Sequence, residues 1–333
     1  MRLPLRRSGT NDSVRLFFAT DLHGSEVCFR KFLAAAGVYR VDVLVLGGDL
    51  TGKTLFPVVR ESGHFSLGLE SGGPTVDTAK DLDAYAKRAA DRGGYCIVLE
   101  RDEADALATD DNAVHALIVS EAAKRAADWR ALAEERLAAT EVRCFVSGGN
   151  DDPPEVLAAL RGDGDRPPDR VVFCDGLVTR LAGDWDLASL GYSNPTPWRT
   201  PREVPEDELE ARIDALADGL RDPTRTVFNL HVPPVGSGLD RCPELDVSTD
   251  PPTPVRIGGE IVFTNAGSTA VRDALLRYQP PVSLHGHIHE SRAATTVGTT
   301  LALNPGSEYG DGVLRGVIVT LSATRVVHQF TAG

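Results

Sequence analysis

Sulfur is scarce in this chain. Its 333 residues include one Met and five Cys. The cysteines (Cys28, Cys96, Cys144, Cys174, Cys242) are odd in number, widely spaced and never form a CxxC pair. That pattern argues against a disulfide framework and a thiolate zinc site, and fits a reducing compartment. Long apolar runs are missing too: nothing approaches the roughly 18 residues of a membrane span, and residues 1–13 carry arginines without the apolar stretch of a secretory leader. The expected location is the cytoplasm, with no membrane contact. Lysine is rare, five against thirty arginines; with the excess of Ala and Gly, this reads as codon bias rather than function. Acids outnumber bases 48 to 35, for a net charge of −13. A whole-molecule basic field for nucleic acid is therefore absent, and only a local patch could serve one. At 42% hydrophobic and 25% charged residues, general disorder is excluded, and the length allows one large domain or two small ones.

What is present alternates. Short runs rich in Val, Leu or Phe recur at Arg15–Thr20, Val41–Leu46, Val142–Ser147, Thr226–Leu230 and Pro281–Leu284, as buried strands should. A second set lies at Val171–Cys174, Leu177–Leu181, Trp185–Leu190, Glu260–Phe263, Thr300–Leu303 and Leu314–Leu321, the last leading into a terminal hairpin with Thr324–Phe330. Helical patterns fill the intervals. Ser25 can cap a helix that carries Val27, Phe32, Leu33 and Ala36 and stops at Gly37. Residues 76–92 and 112–139 place apolar side chains at 3–4 spacing, and 205–219 and 268–278 also read as helices. Asp152-Pro153-Pro154-Glu155 resembles a capping-box helix start. Strands alternating with helices predict α/β layers. Residues 195–205 and 232–254 are Pro/Gly-rich loops.

The informative residues follow the five main runs. They are Asp21-Leu22-His23-Gly24, then Gly47-Gly48-Asp49, then Gly148-Gly149-Asn150-Asp151-Asp152, then His231, then His285-Gly286-His287-Ile288-His289. The carboxyl ends of strands are where open α/β sheets bind ligands. Asp21, His23, Asp49, Asn150, His231, His287 and His289 offer nitrogen and oxygen but no sulfur, a set suited to Mn, Fe or Zn. Seven donors are too many for one ion with open positions but suit two ions sharing a carboxylate, and Asp49 is the natural bridge. His285 is read as structural or as an orienting partner. His64, His115 and His328 match no motif, and Cys28, Cys96, Cys144 and Cys174 read as small buried hydrophobes.

This ordered set resembles the calcineurin-like metallophosphoesterase superfamily, whose pattern runs DxH, GDxx, GNH(D/E), a lone His, then GHxH. The match spans residues 21 to 289. The stretch Leu284–Glu290 and Asn304-Pro305-Gly306-Ser307 are similar to the group related to cyclic-nucleotide phosphodiesterases. The resemblance implies a four-layer αββα sandwich of two mixed β-sheets and a phosphoesterase with two divalent or trivalent metal ions. Asp21, His23 and His289 would bind one metal, Asn150, His231 and His287 the other, and Asp49 both. In the family a metal-bridging hydroxide attacks phosphorus, and two divalent ions outweigh two aspartates and a hydroxide, so an acidic protein can still present a positive site to a small phosphorylated substrate.

Two features depart from the pattern. Asp151 stands where the family has a His that contacts phosphate or protonates the leaving group; an ionised aspartate would repel an anionic ester, and a desolvated one could act as an acid. The interval from Asp49 to Asn150 is also long, which predicts a helical insertion over about 55–140 within a single domain, either a cap over the metals or a helix pair on a sheet edge. Substrate contacts are expected from Lys53 and from Arg199, in a loop with Trp198 and Arg202. Two other readings remain open. A catalytically weakened scaffold on the same fold is one. The other is a P-loop, because Gly47–Thr54 also fits GxxxxGK(S/T), although Asp49 inside that loop and Pro57 after it weaken the match.

Overall fold

Alternation along the central strands lets one sheet serve two cores. The computed structural model describes residues 13–70, 73–162 and 170–333; of the stretch read for a leader, residues 1–12 lie outside them. In β1 (Val14–Ala19) and β2 (Val43–Leu46), Leu16, Phe18, Val43 and Val45 face one side, and Phe17, Ala19, Leu44 and Leu46 the other, the period of two a strand imposes. Helix α1 (Glu26–Val38) joins them, its first turn capped by Ser25 Oγ, which accepts from Cys28 N at 3.4 Å. There follow β3 (Thr54–Glu61), β4 (His64–Leu67), β5 (Thr75–Val76), α2 (Ala79–Asp91), β6 (Gly94–Leu99), α3 (Arg101–Leu107) and α4 (Asp111–Leu137). Next come β7 (Arg143–Val146), α5 (Pro154–Arg161), β8 (Val171–Phe173), β9 (Leu177–Ala182), β10 (Trp185–Leu190), α6 (Glu206–Ala217) and β11 (Thr226–Leu230). Six short strands, β12 (Arg241–Pro243), β13 (Leu245–Asp246), β14 (Thr253–Pro254), β15 (Arg256–Ile257), β16 (Glu260–Ile261) and β17 (Phe263–Asn265), make a largely exposed arm. The chain closes with α7 (Thr269–Tyr278), β18 (Val282–Leu284), β19 (Ala293–Val297), β20 (Thr300–Asn304), β21 (Arg315–Leu321) and β22 (Val326–Ala332).

Two six-stranded sheets result, ordered β22-β21-β1-β2-β7-β8 and β19-β20-β18-β11-β10-β9. Both are mixed: β1, β2, β7 and β8 pair in parallel, with β21 antiparallel to β1, and β10, β11, β18 and β20 pair in parallel between antiparallel edges β9 and β19. Leu16, Phe18, Val45 and Phe145 of the first sheet meet Leu187, Val227, Leu284 and Leu303 of the second in a dry interface. Outside the first sheet lie α1, α4 and α5; outside the second, α6 and α7. This is the expected four-layer αββα sandwich. Each fully buried Leu, Val or Phe in these cores contributes about 1.5–3 kcal/mol. No helix of the described residues is long and apolar enough to cross a membrane.

The interval expected to be a helical insertion differs in content. Besides α2, α3 and α4 it holds a four-stranded sheet, β5-β4-β3-β6. Its central strand β3 tolerates Pro57 because the pairing with β4 begins only at Val58. Helix α4 is part of the main outer layer: Ala122, Ala126, Trp129, Ala133 and Leu137 form a buried stripe in the same core as α1 and the first sheet.

Candidate metal centre

Four of the seven candidate ligands follow their strands on left-handed backbone. Asp21 (φ 55°), His23 (φ 40°), Asp49 (φ 52°) and His287 (φ 66°) are left-handed, a conformation that costs a non-glycine residue about 1–2 kcal/mol. Among the described residues only Arg40, Arg199 and Gln279 share it without being glycine. Two glycines make room for the carboxylates. A Cβ on Gly149 would stand 2.1 Å from Asp49 Oδ1, and one on Gly286 would stand 2.3 Å from Asp21 Oδ2. The loops are then tied together: Asp21 N donates to Gly48 O at 2.9 Å, His23 N to Asp49 O at 2.9 Å, and His287 N to Asp21 Oδ1 at 3.0 Å.

The seven side chains converge at the shared carboxyl edge of the two sheets. Asp21, His23 and His289 each offer a ligand atom within 4.8 Å of the others, and so do Asp49, His231 and His287. His23 Nε2 lies 3.1 Å from His289 Nε2, and 3.9 Å from Asp49 Oδ2, which is itself 3.3 Å from His231 Nε2. Asn150 Oδ1 meets His287 Nδ1 at 2.7 Å. A third trio, His23, Asp49 and Asp151, overlaps the first two.

Two observations test whether cations fit. His23 Nδ1 lies 3.2 Å from Thr51 O and His231 Nδ1 3.1 Å from Gly47 O. A carbonyl can only accept, so both Nδ1 atoms carry the proton and both Nε2 lone pairs point into the cluster. His231 Nε2 is buried with no hydrogen-bond partner of acceptable geometry despite the nearby Asp49. Imidazole nitrogens and carboxylates turned on one another across 3–4 Å could hold a cation.

The electrostatics agree. Burial alone would raise Asp49, but His231 and His23 hold it well below the usual carboxylate range; Asp21 is likewise lowered against burial by His289 and His231. Burial pushes His23 and His287 down to about 4, leaving them neutral at pH 7. Against burial, Asp49 and Asp21 lift His231 to about 10: the carboxylates draw positive charge to its Nε2, and a metal would supply that charge in place of a proton.

No family model matches the chain, and no curated protein matches it. Solved structures do. One is 16% identical over 96% of this chain and 98% of its own, with a TM-score of 0.55. The structure of TT1561 of Thermus thermophilus is 14% identical over 95% of this chain and 98% of its own, with a TM-score of 0.53. The fold is that of the calcineurin-like metallophosphoesterases. At such identities the likeness is one of fold.

On this metallophosphoesterase fold several supporting residues make contacts that the motifs did not show. Asp152 is fully buried and does not cap α5, whose N-cap is Pro153 with no side-chain bond. Its carboxylate instead accepts from Leu50 N (2.9 Å), Thr51 N (2.9 Å), Thr51 Oγ1 (2.7 Å) and Gly149 N (2.8 Å), fixing the Asp49 loop to the Asn150 loop. Asn304 Nδ2 donates to Ile288 O at 2.9 Å and Gly286 O at 3.2 Å, and Ser307 Oγ to Asp21 O at 2.7 Å, which explains the Asn304–Ser307 signature. His285 Nδ1 donates to Leu230 O at 2.7 Å, next to His231. The inserted sheet supports the site from behind: Gly52 N donates to Tyr95 Oη at 2.9 Å, and Arg125 stacks on Tyr95 while donating to Gly24 O at 2.7 Å.

The cluster of candidate ligands opens into a cleft of about 460 Å³. A larger groove of about 630 Å³ lies between α1, α2 and α4 and holds none of the candidate ligands. Lys53 lines the cleft, with Nζ 2.5 Å from Asp151 Oδ2. Thr54 opens strand β3 rather than a helix, which removes the P-loop reading. Arg199 is exposed and absent from the cleft wall, while its neighbours Trp198 and Thr200 line it. Arg202 is buried and committed to Asp175 (2.5 Å) and Gly149 O (3.0 Å). Among the described residues, none from 55–140 lines the cleft. Its outer wall is Trp198 with Pro243, Leu245 and Pro254 of the arm, and Tyr309 sits 4.8 Å from the His23 ring.

Proposed function

We propose that this chain is a metal-dependent phosphoesterase acting on a phosphodiester or a small phosphorylated metabolite. The observation that carries it is the meeting of seven nitrogen and oxygen donors, four of them on strained left-handed residues, at the floor of a cleft with apolar walls. Asp21, His23 and His289 would hold one cation, Asn150, His231 and His287 would hold a second, and Asp49 would serve both. Bound ions of this kind supply Lewis acidity and a water acidic enough to be a nucleophile near neutral pH. Mn, Fe and Zn all suit the donor set.

The chain's own residues handle the ester. Lys53 offers an ammonium in the cleft, and Asp151 holds it beside the metal floor. Burial, then Asp49, raises Asp151 to about 7 against the opposing pull of Lys53. Asp151 Oδ2 is engaged by Lys53 Nζ at 2.5 Å, so it is a poorer partner for a departing alkoxide than a free imidazole, and good leaving groups are favoured. Trp198 and the prolines of the arm give an apolar substituent a flat surface to lie on.

The test is metal analysis joined to turnover of a chromogenic aryl phosphodiester, with an alkyl diester and an aryl monoester for comparison. Two equivalents of metal and aryl diester cleavage well above alkyl support the reading. Equal rates on aryl and alkyl diesters remove the role given to Asp151. Neither stoichiometric metal nor turnover leaves a scaffold on this fold and ends the proposal.

A further inference from the structure

Asn150 is an ambiguous ligand, because its amide presents an acceptor in one orientation and a donor in the other. The loop at 193–204 removes that ambiguity. Asn150 Nδ2 lies 2.8 Å from Thr200 Oγ1, and Thr200 Oγ1 lies 2.8 Å from Glu203 Oε1. A threonine hydroxyl has one proton. The Glu203 carboxylate has none to give and also accepts from Thr200 N (2.9 Å), Thr196 N (2.8 Å) and Thr196 Oγ1 (2.5 Å). The Thr200 proton therefore goes to Glu203, and the hydroxyl turns a lone pair toward Asn150. Only the amide NH2 can face that lone pair, so Oδ1 must face His287 and the second cluster. The backbone repeats the tie, since Arg202 N donates to Asn150 O at 3.1 Å.

We propose that Thr200 and Glu203 are positioning residues that fix the Asn150 amide with its oxygen toward the second metal, and so set the affinity of that site alone. The inference rests on the two-metal reading above. It also gives the 193–204 loop a second task, because Glu203 holds the Thr196 hydroxyl as well, and Trp198 N donates to Thr196 Oγ1 at 3.1 Å, which keeps Trp198 on the cleft wall. Losing the hydroxyl at 200 frees the amide to turn, and a turned amide points NH2 at a cation.

The experiment is titration of metal-free protein with manganese, followed by calorimetry and by the electron paramagnetic signal of the coupled pair. His287→Ala identifies which binding step belongs to the second cluster. Thr200→Val, which keeps the shape and removes the hydroxyl, should weaken that step about 10–100-fold, the range for residues that orient metal ligands, and leave the other step within threefold. Thr200→Ser should restore it. Glu203→Gln, which can donate to the Thr200 hydroxyl and redirect its proton, should weaken the same step. Native-like binding by Thr200→Val, equal weakening of both steps, or failure of serine to rescue overturns the inference while leaving two metals in place. A native protein that takes up fewer than two equivalents overturns the two-metal reading and this inference with it.

Discussion

Replacing Asp152 by alanine tests whether the centre is held by the fold or assembled by its ions. The carboxylate is fully buried and accepts from three backbone N–H groups and one hydroxyl, on loops about a hundred residues apart in the chain. Alanine leaves Leu50 N, Thr51 N and Gly149 N without an acceptor. A buried donor stripped of its partner costs about 1–3 kcal/mol, and relaxation or an entering water recovers part of that, so the expected loss is about 3–5 kcal/mol. At about 2.1 cal/mol/K of unfolding entropy per residue, a chain of 333 residues carries about 0.7 kcal/mol/K, and the melting midpoint should fall by about 4–7 °C. The measurement is urea and thermal unfolding of metal-free protein, so that lost metal does not inflate the effect. Asp152→Asn keeps one acceptor oxygen but points an NH2 at a donor, and should fall between alanine and native. A metal-free Asp152→Ala protein within 1 kcal/mol of native would refute the view that this carboxylate joins the Asp49 and Asn150 loops.

Other outcomes are direct. Gly286→Ala places a Cβ 2.3 Å from both Asp21 Oδ2 and Thr20 Oγ1, so metal content should drop from two equivalents to one with circular dichroism unchanged; full loading would contradict the Asp21 role. Lys53→Ala leaves the Asp151 carboxylate uncompensated in the cleft; KM for an anionic ester should rise about 10–150-fold, since hydrogen bonds to charged groups contribute about 1.5–3 kcal/mol, with metal content unchanged, and an unaltered KM would remove Lys53 from substrate binding. Cys28, Cys144 and Cys174 are buried, and burial pushes the Cys174 thiol up to about 12 and Cys144 higher. Burial raises the half-buried Cys96 and Cys242 too, Cys242 to about 11, so access decides: at pH 8 a thiol reagent should label native protein through Cys96 and Cys242 alone and all five cysteines in denaturant; rapid labelling of a third thiol in the native state would show that a core is open.

The five motif-bearing strands were legible because each is a buried apolar run that ends in a polar donor, and in four of the five glycine lies beside that donor, two signals that reinforce each other. Helices α1 and α7 were equally plain, since Ser25 and Ser268 do cap them. The inserted sheet was not legible. Strands β3 to β5 are short or half-exposed, broken by Pro57 and Gly63, and stabilised by a partner, β6, that arrives about 30 residues later. Periodicity reads local pattern, and these strands owe their existence to distant pairing. The arm of β12 to β17 fails for the same reason, with pieces of two or three residues inside Pro/Gly-rich sequence. Asp152 misled because Asp-Pro-Pro-Glu is a sound local helix start. Its carboxylate goes to Leu50 and Thr51, a tertiary demand that outweighs the local one.

The strained ligands show why the site could be read when its supports could not. A chain selected only to fold would place glycine at φ values of 40–66°, as it does at Gly183, Gly258 and Gly298. At Asp21, His23, Asp49 and His287 it accepts left-handed strain, because glycine has no donor atom to offer. Asp and His tolerate that region better than branched residues, so the choice of ligand type and of backbone shape are one decision. The flanking glycines are the other half of it, since Gly149 and Gly286 sit where a side chain would strike the very carboxylates being presented. Glycine beside Asp, Asn or His at a strand end therefore marks a position where foldability gives way to chemistry. Supporting residues such as Thr200, Asp152 and Asn304 adopt ordinary backbone shapes and leave no such mark. Their role lies only in which atom they face, and that is a property of the folded chain.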